Sequence, residues 1–334
     1  MESKFLKIED KDKWLALLDR ALFKSFFHSL EWEEFLESQF KWLKFERYLW
    51  EDQTVLSLAR AKIGNSEKLV SHPFCEYGGP LPLTSQINGK DFKVDFLNKF
   101  KNARISFHPK ILEYFNLDEA DKALFKNQRS AFWIEDLNQQ SKEEVWSSFK
   151  KTLKHSISQA EERDIRVRKC EDEKELDSFY SLYVVSAKMH KIPPYPLSFF
   201  KFFLQSDKSE IVLAEYKNKI VAGSVFLFYD KFIHYFINAS DYNYRNLGAN
   251  YLIIWRQIER FCQKDYKVFD FGGTRKNSSL EIFKRGWGGK EYPIFELTGS
   301  TDSSSSFGLL RNVFGLLPLF LIKRISSYLL KYKI

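Results

Sequence analysis

The stretch Ile211 to Phe271, IVLAEYKNKIVAGSVFLFYDKFIHYFINASDYNYRNLGANYLIIWRQIERFCQKDYKVFDF, decides the fold. IVLAEY, KIVAGSVFLFY and FIHYFIN are branched and aromatic runs separated by KN and DK, which predicts three antiparallel strands in a meander. From Asn250 to Lys264 the period becomes helical, with Tyr251, Ile254, Trp255, Ile258 and Phe261 inward and Arg256, Gln257, Glu259 and Arg260 toward water. The strand KVFDF follows and opens into Gly272 and Gly273. This order of strand, strand, strand, helix, strand can bind an acyl donor. Gly223, inside the second strand, predicts a bulge that splays neighbouring ribbons into a wedge. The turn Tyr244 to Asn250 sets Arg245 and the amides around Gly248 and Ala249 at a helix N-terminus, where the dipole and free N–H groups favour a phosphate.

Upstream, a helix is expected from Asp172 to Met189, closed by Pro193, Pro194 and Pro196, and Ser198 is expected to cap a short aromatic helix, FFKFFL. Ser141 with Glu144 forms a capping box for one continuous helix through Val145, Phe149, Leu153, Ser156 and Ala160. Lys150, Lys151, Lys154, Arg163, Arg166, Arg168 and Lys169 make its other side and its exit either a phosphate-attracting ridge or a solvated face. In the first half, LKFERYLW and TVLSLARAKI predict a hairpin over Leu43 to Ile63, and HPFCEYGGPLP predicts an irregular loop. Further strands are expected at Ala103 to Phe107 and Ser130 to Ile134.

At 334 residues the chain predicts two domains. A hydrophobic share of 44% and a charged share of 29% exclude bulk disorder. The net charge of +8 favours anionic partners without naming one. Cys75, Cys170 and Cys262 form no close pair, so a disulfide framework and a zinc knuckle are not suggested, and the charged N-terminus lacks a leader-like apolar run. A cytoplasmic protein is expected. The segment Thr298 to Gly308 is serine-rich, a linker or exposed loop. Phe307 to Ile334 has no acidic residue, and its uncharged run Asn312 to Ile322 falls short of the roughly 20 residues a membrane span needs. It is either a helix packed on the body or an amphipathic element on anionic lipid at the inner face of the plasma membrane.

FHSLEWEEFL (Phe27 to Leu36), EYGGPLP (Glu76 to Pro82), NASDYNYRNLGANYLIIW (Asn238 to Trp255), FDFGGT (Phe269 to Thr274) and IFKRGWGG (Ile282 to Gly289) occur in the order and approximate spacing of a known group. The chain resembles the FemAB-like branch of the Gcn5-related N-acyltransferase (GNAT) superfamily. The resemblance implies an α+β fold of two tandem GNAT-like domains, each a mixed, largely antiparallel sheet flanked by helices. These are expected at residues 1–140 and 141–298, the second carrying the donor motifs, with 299–334 a Ser-rich linker and basic amphipathic segment. It also implies acyl or aminoacyl transfer to an amine in peptidoglycan or cell-surface polysaccharide assembly. The donor would be acyl-CoA or aminoacyl-tRNA without a metal, and the acceptor an amine-bearing envelope precursor or nucleotide sugar. Partners would include tRNA and the membrane surface through 307–334, and no DNA. The superfamily's pyrophosphate signature ends in a small residue where this chain has Asn250, and the coiled-coil arm of some bridge-forming members is absent.

Lys284 resembles the lysine that the family places near the acyl carbonyl or a phosphate; the alternative is an exposed strand lysine. Asp270 and Asp241 adjoin motif turns and are the expected proton acceptors, or else structural caps. Donor binding is expected at Gly223, Arg245, Gly248, Ala249 and Asn250, and acceptor binding at Tyr77, Gly78 and Gly79, where Tyr77 either stacks on a ligand or fills a gap between domains. His234 reads as a core histidine, and His72 with Cys75 as part of a packed loop. The alternative to an enzyme is a GNAT-fold module that binds anionic polymer or a membrane surface.

Overall fold

The computed structural model describes residues 4–64, 66–118, 122, 125–299 and 314–333; the serine-rich run at 300–308 lies outside them. The strands are β1 (Phe5–Ile8), β2 (Leu43–Trp50), β3 (Thr54–Ile63), β4 (Ser66–Val70), β5 (Leu81–Pro82), β6 (Ile87–Asn88), β7 (Ala103–Ser106), β8 (Phe115–Asn116) and β9 (Lys126–Ile134) in the first part of the chain. The second part adds β10 (Arg166–Lys169), β11 (Ser209–Tyr216), β12 (Lys219–Tyr229), β13 (Phe232–Ser240), β14 (Val268–Arg275) and β15 (Lys290–Thr298). Helices are α1 (Lys11–Arg20), α2 (Leu30–Gln39), α3 (Gly89–Lys99), α4 (Pro109–Leu112), α5 (Lys142–Ser148), α6 (Lys151–Glu162), α7 (Glu173–Met189), α8 (Leu197–Gln205), α9 (Ala249–Phe261), α10 (Ser279–Arg285) and α11 (Leu319–Leu329).

Among the described residues thirteen strands join in one sheet, ordered β1-β2-β3-β4-β7-β15-β9-β14-β13-β12-β11-β10, with β5 paired to β3. The two ends repeat one plan. On each, four antiparallel strands lead to one parallel pair, Leu69–Val70 with Ala103–Arg104 in the first and Phe232–His234 with Val268–Asp270 in the second. The closing strands are exchanged: β9 pairs with β14 of the second half, and β15 pairs with both β9 and β7. This interleaving joins the two repeats of the plan into one mixed sheet flanked by helices, with buried clusters on both faces.

The Leu43 to Ile63 hairpin and the meander from 209 to 240 form as their alternation predicts, with turns made by Glu51, Asp52, Lys217, Asn218 and Asp230 at positive φ. The Ser141–Glu144 capping box is formed, but the expected single helix is two, because Phe149 turns extended (ψ 146°) and the Lys150 N–H donates to the Gly286 carbonyl. A Cβ on Gly288 would come within 2.7 Å of the Ser148 carbonyl oxygen, so the Gly286–Gly289 turn packs straight into that break. The aromatic helix begins at Leu197 with Pro196, not Ser198, as its cap residue.

Candidate active site

Gly223 does not open a wedge. It pairs with Leu213 on one side and Ala239 on the other, and a Cβ there would lie 2.5 Å from the Phe179 ring. Its missing side chain admits α7 onto the sheet. Gly223→Ala is expected to cost about 1–3 kcal/mol by overpacking, read as a lower urea midpoint with unchanged slope.

The opening lies one strand further on. Parallel pairing of β13 with β14 stops at His234 and Asp270, and both strands run on separately, to Ser240 and Arg275. On β13, Val225 faces Ile237 while Phe226 faces Tyr235, so Phe236 is the extra residue of a bulge. The bulge reverses the side-chain alternation. Ile233 and Tyr235 join one buried cluster and Ile237 and Ala239 the other, which returns Asn238 and Ser240 to the face of Tyr235. On that face a cleft of about 290 Å³ is lined by Tyr235, Asn238, Ser240, Tyr244, Arg245, Phe283 and the start of α9.

Four of the expected donor residues meet there. Gly248 adopts φ 74° and takes the cap position of α9 without a side-chain cap, and no acidic residue stands in the first turn. A Cβ at Gly248 would be 2.6 Å from the Ser156 carbonyl oxygen, so glycine also lets α6 approach. Arg245 is exposed, its guanidinium 4.1 Å from the Tyr242 ring centroid. Ala249 and Asn250 open the helix, and Asn250 Oδ1 is buried without a hydrogen-bond partner. An uncapped N-terminus, an arginine and an unsatisfied amide oxygen suit a phosphate-bearing carrier with an amide arm. The basic ridge is partly neutralised: Arg168 pairs with Glu175 and Glu215, and Lys169 with Glu210.

A buried polar chain occupies the opposite face at the base of the opening. Glu76 Oε2 is 3.2 Å from His234 Nε2, and His234 Nδ1 is 2.8 Å from Asp270 Oδ2. Asp270 also accepts from the Tyr77 and Tyr229 hydroxyls, and its Oδ1 accepts from the Gly272 N–H at 2.7 Å. Burial opposes charge on His234, but the Asp270 and Glu76 carboxylates outweigh it and raise the imidazole to about 9. Burial likewise opposes charge on Asp270, yet the His234 charge and hydrogen bond, with His108 and Tyr77, hold it at about 2. Asp270 and His234 are thus an ion pair at neutral pH, with both ring N–H groups donating. Glu76 is 21% exposed, and a Cβ on Gly272 would be 2.8 Å from its Oε1.

Lys284 lies on α10, not on a strand, and is 4% exposed. Its Nζ donates to the carbonyls of Gly272 and Gly273 at 3.0 and 3.1 Å, where β14 has left β13 and its register with β9 slips between Asp270 and Gly273. Burial lowers its pKa, with Glu76 and Asp270 pulling the other way. Asp241 stands apart, accepting from the Asn243 N–H and pairing with Lys219 at 2.8 Å. Tyr77 is buried against His108 and His234 and fills a gap; it is not placed to stack on a ligand. At Gly78 and Gly79 the close approach is to the protein itself, to the His72 ring and to the Phe107 backbone, while the Gly79 carbonyl meets His28 Nε2 at 3.2 Å. Cys75 donates to the His72 carbonyl, and among the described residues no His, Cys, Asp and Glu cluster could hold a metal.

No local pattern marks Glu76, and along the chain His234 reads as a core residue. A signal existed in His234 at the centre of an otherwise apolar strand, but its partner is 158 residues away.

Residues 147–285, which contain the bulged strand, the cleft and Lys284, match the family model described as the acetyltransferase (GNAT) domain. FemX superposes with a TM-score of 0.61 at 14% identity, covering 93% of this chain and 100% of that one. The chain carries a GNAT domain in its second half and shares the fold of FemX. The C-terminal domain of a putative lysylphosphatidylglycerol synthetase from Agrobacterium fabrum gives 0.53 at 12%, over 90% and 96% of the two chains. A tandem GNAT protein from the clavulanic acid biosynthesis pathway gives 0.51 at 6%, over 90% and 99%. No curated protein matches the sequence. In this GNAT-fold chain the match falls on the half that holds the uncapped start of α9.

Proposed function

We infer that the protein transfers an acyl or aminoacyl group from a phosphate-bearing carrier to an amine of a cell-envelope precursor, with residues 1–140 and 141–298 as its two acyltransferase-like halves. One observation carries this reading: the sheet opens beyond His234 and Asp270, between an uncapped helix N-terminus on one face and a partly exposed carboxylate on the other. The carrier's phosphates sit at Arg245 and the Gly248–Asn250 amides, and its acyl end passes into the opening. The amine approaches from the Glu76 side. As the C–N bond forms, Glu76 takes the amine proton and the carbonyl becomes an oxyanion, which unpaired β13 amides beyond the bulge stabilise. Collapse breaks the bond to the carrier, whose thiolate or ribose oxygen leaves and takes up a proton. His234 holds Glu76 through Nε2, Asp270 positions His234, and Lys284 braces Gly272 and Gly273 while adding positive charge beneath the opening.

Both donor classes fit this chemistry, acyl-CoA and aminoacyl-tRNA; ribonuclease separates them, because only transfer from tRNA is abolished by it. The structural neighbour named as a putative lysylphosphatidylglycerol synthetase supports an envelope acceptor. In an assay of purified protein with both donor classes, Arg245→Ala is expected to raise the donor KM by about tenfold or more, the scale of a charged hydrogen bond, with little change in kcat. Absence of transfer with every donor and amine tried would refute the assignment.

A further inference from the structure

Helix α11 together with the short turn at 314–316 before it is apolar on two sides, and only one is used. Ile322, Ser326, Leu329 and Leu330 are buried, whereas Leu316 is 84% and Phe320 72% exposed. Contacts fix how α11 lies on α7: a Cβ on Gly315 would be 3.7 Å from the Lys191 side chain, while Lys323 Nζ reaches Ser181 Oγ at 3.0 Å and the Tyr180 ring. The two helices therefore run antiparallel. The outward side of α7 and its exit adds two more exposed apolar residues at the Leu316 end, Met189 and Ile192.

Charge on this face has one sign. Residues 314–334 contain no acid, and neither do residues 178–206. Lys191, Lys323 and Arg324 are exposed among these apolar side chains with Lys188 half-buried beside them, and Asp177, the nearest acid on α7, lies toward the opposite end from Leu316. Among the described residues no helix is long and apolar enough to cross a membrane. Large exposed apolar side chains rimmed by cations alone, on a helix anchored by its other side, match an anionic lipid surface.

We propose that the paired outer faces of α7 and α11 dock on an anionic bilayer, with Leu316 and Phe320 entering the boundary between headgroups and acyl chains and the four cations meeting lipid phosphates. The contact is peripheral. Apolar insertion supplies part of the affinity, and the cations select the lipid and make binding sensitive to salt.

The test is co-sedimentation of the full chain with vesicles of phosphatidylcholine, alone or mixed with phosphatidylglycerol, without donor or acceptor, so that its failure is distinct from failure of acyl transfer. The protein is expected to pellet with mixed vesicles, to stay in solution with phosphatidylcholine alone, and to be released as salt rises. Leu316→Asp with Phe320→Asp is expected to lower partitioning about tenfold or more. Both side chains are exposed, so the melting temperature should not move, which separates lost docking from misfolding. Equal pelleting of the variant, indifference to phosphatidylglycerol, or no pelleting at all overturns the proposal. So does a vesicle-free dimer that the double variant dissolves, which would make the occupant a second copy of this chain.

Discussion

Turnover is expected to fall about 10²- to 10⁴-fold when Glu76 is replaced by glutamine, with donor KM nearly unchanged. Glutamine keeps the size and an oxygen for His234 Nε2–H, so the loop and the opening stay in place while the proton acceptor is lost. Glu76 belongs to the first half of the chain but touches His234 of β13 and lies beside Gly272 of β14, beneath the end of the strand pairing. Single-turnover acyl transfer with a fixed amine measures the loss directly. If Glu76→Gln transferred at the wild-type rate, the carboxylate would be structural and the proton would have to leave another way.

Stability should decline by about 3 kcal/mol as pH rises from 6.5 to 9, and His234→Gln should remove that slope. The imidazole rises from 6.5 free to about 9 in the folded chain, so its contribution is fully present below 6.5 and fades as pH climbs through 9. Asp270 behaves oppositely: lowered from 3.8 to about 2, it contributes above 3.8 and loses that contribution as pH falls through 2. Below 6.5 the buried His28 and His108, both lowered by burial, His108 to about 3, take up protons only on unfolding, so stability also declines toward acid and is greatest near 6.5. Urea midpoints of the wild type and His234→Gln across this range test it. Replacing Asp270 by alanine strands a buried imidazolium and is expected to cost about 3–5 kcal/mol, more than removing both charges together. A flat wild-type profile from 6.5 to 9 would mean that His234 is neutral in the fold.

Much of the secondary structure could be read directly, because its causes are local. LKFERYLW and TVLSLARAKI form strands with the expected bounds, and Ser141 with Glu144 and Asp172 with Glu175 cap their helices. The turn before α9 was legible for the same reason: a glycine ahead of an amphipathic helix sets an N-terminus without a side-chain cap within a few residues. The break at Phe149 was not, since it depends on a turn more than 130 residues later.

What the sequence determined by itself was the first hairpin, the later meander, the Ser141 and Asp172 caps and the glycine turn before α9, all set by neighbours along the chain. Tertiary structure alone decided that β9 and β15 change places, that the sheet opens after His234 instead of at Gly223, and that Glu76, His234 and Asp270 form one buried chain. The reason is physical. Pairing partners of a strand and the balance between burial and ion pairing depend on groups brought together only when the two halves fold against each other, and no local pattern encodes that proximity.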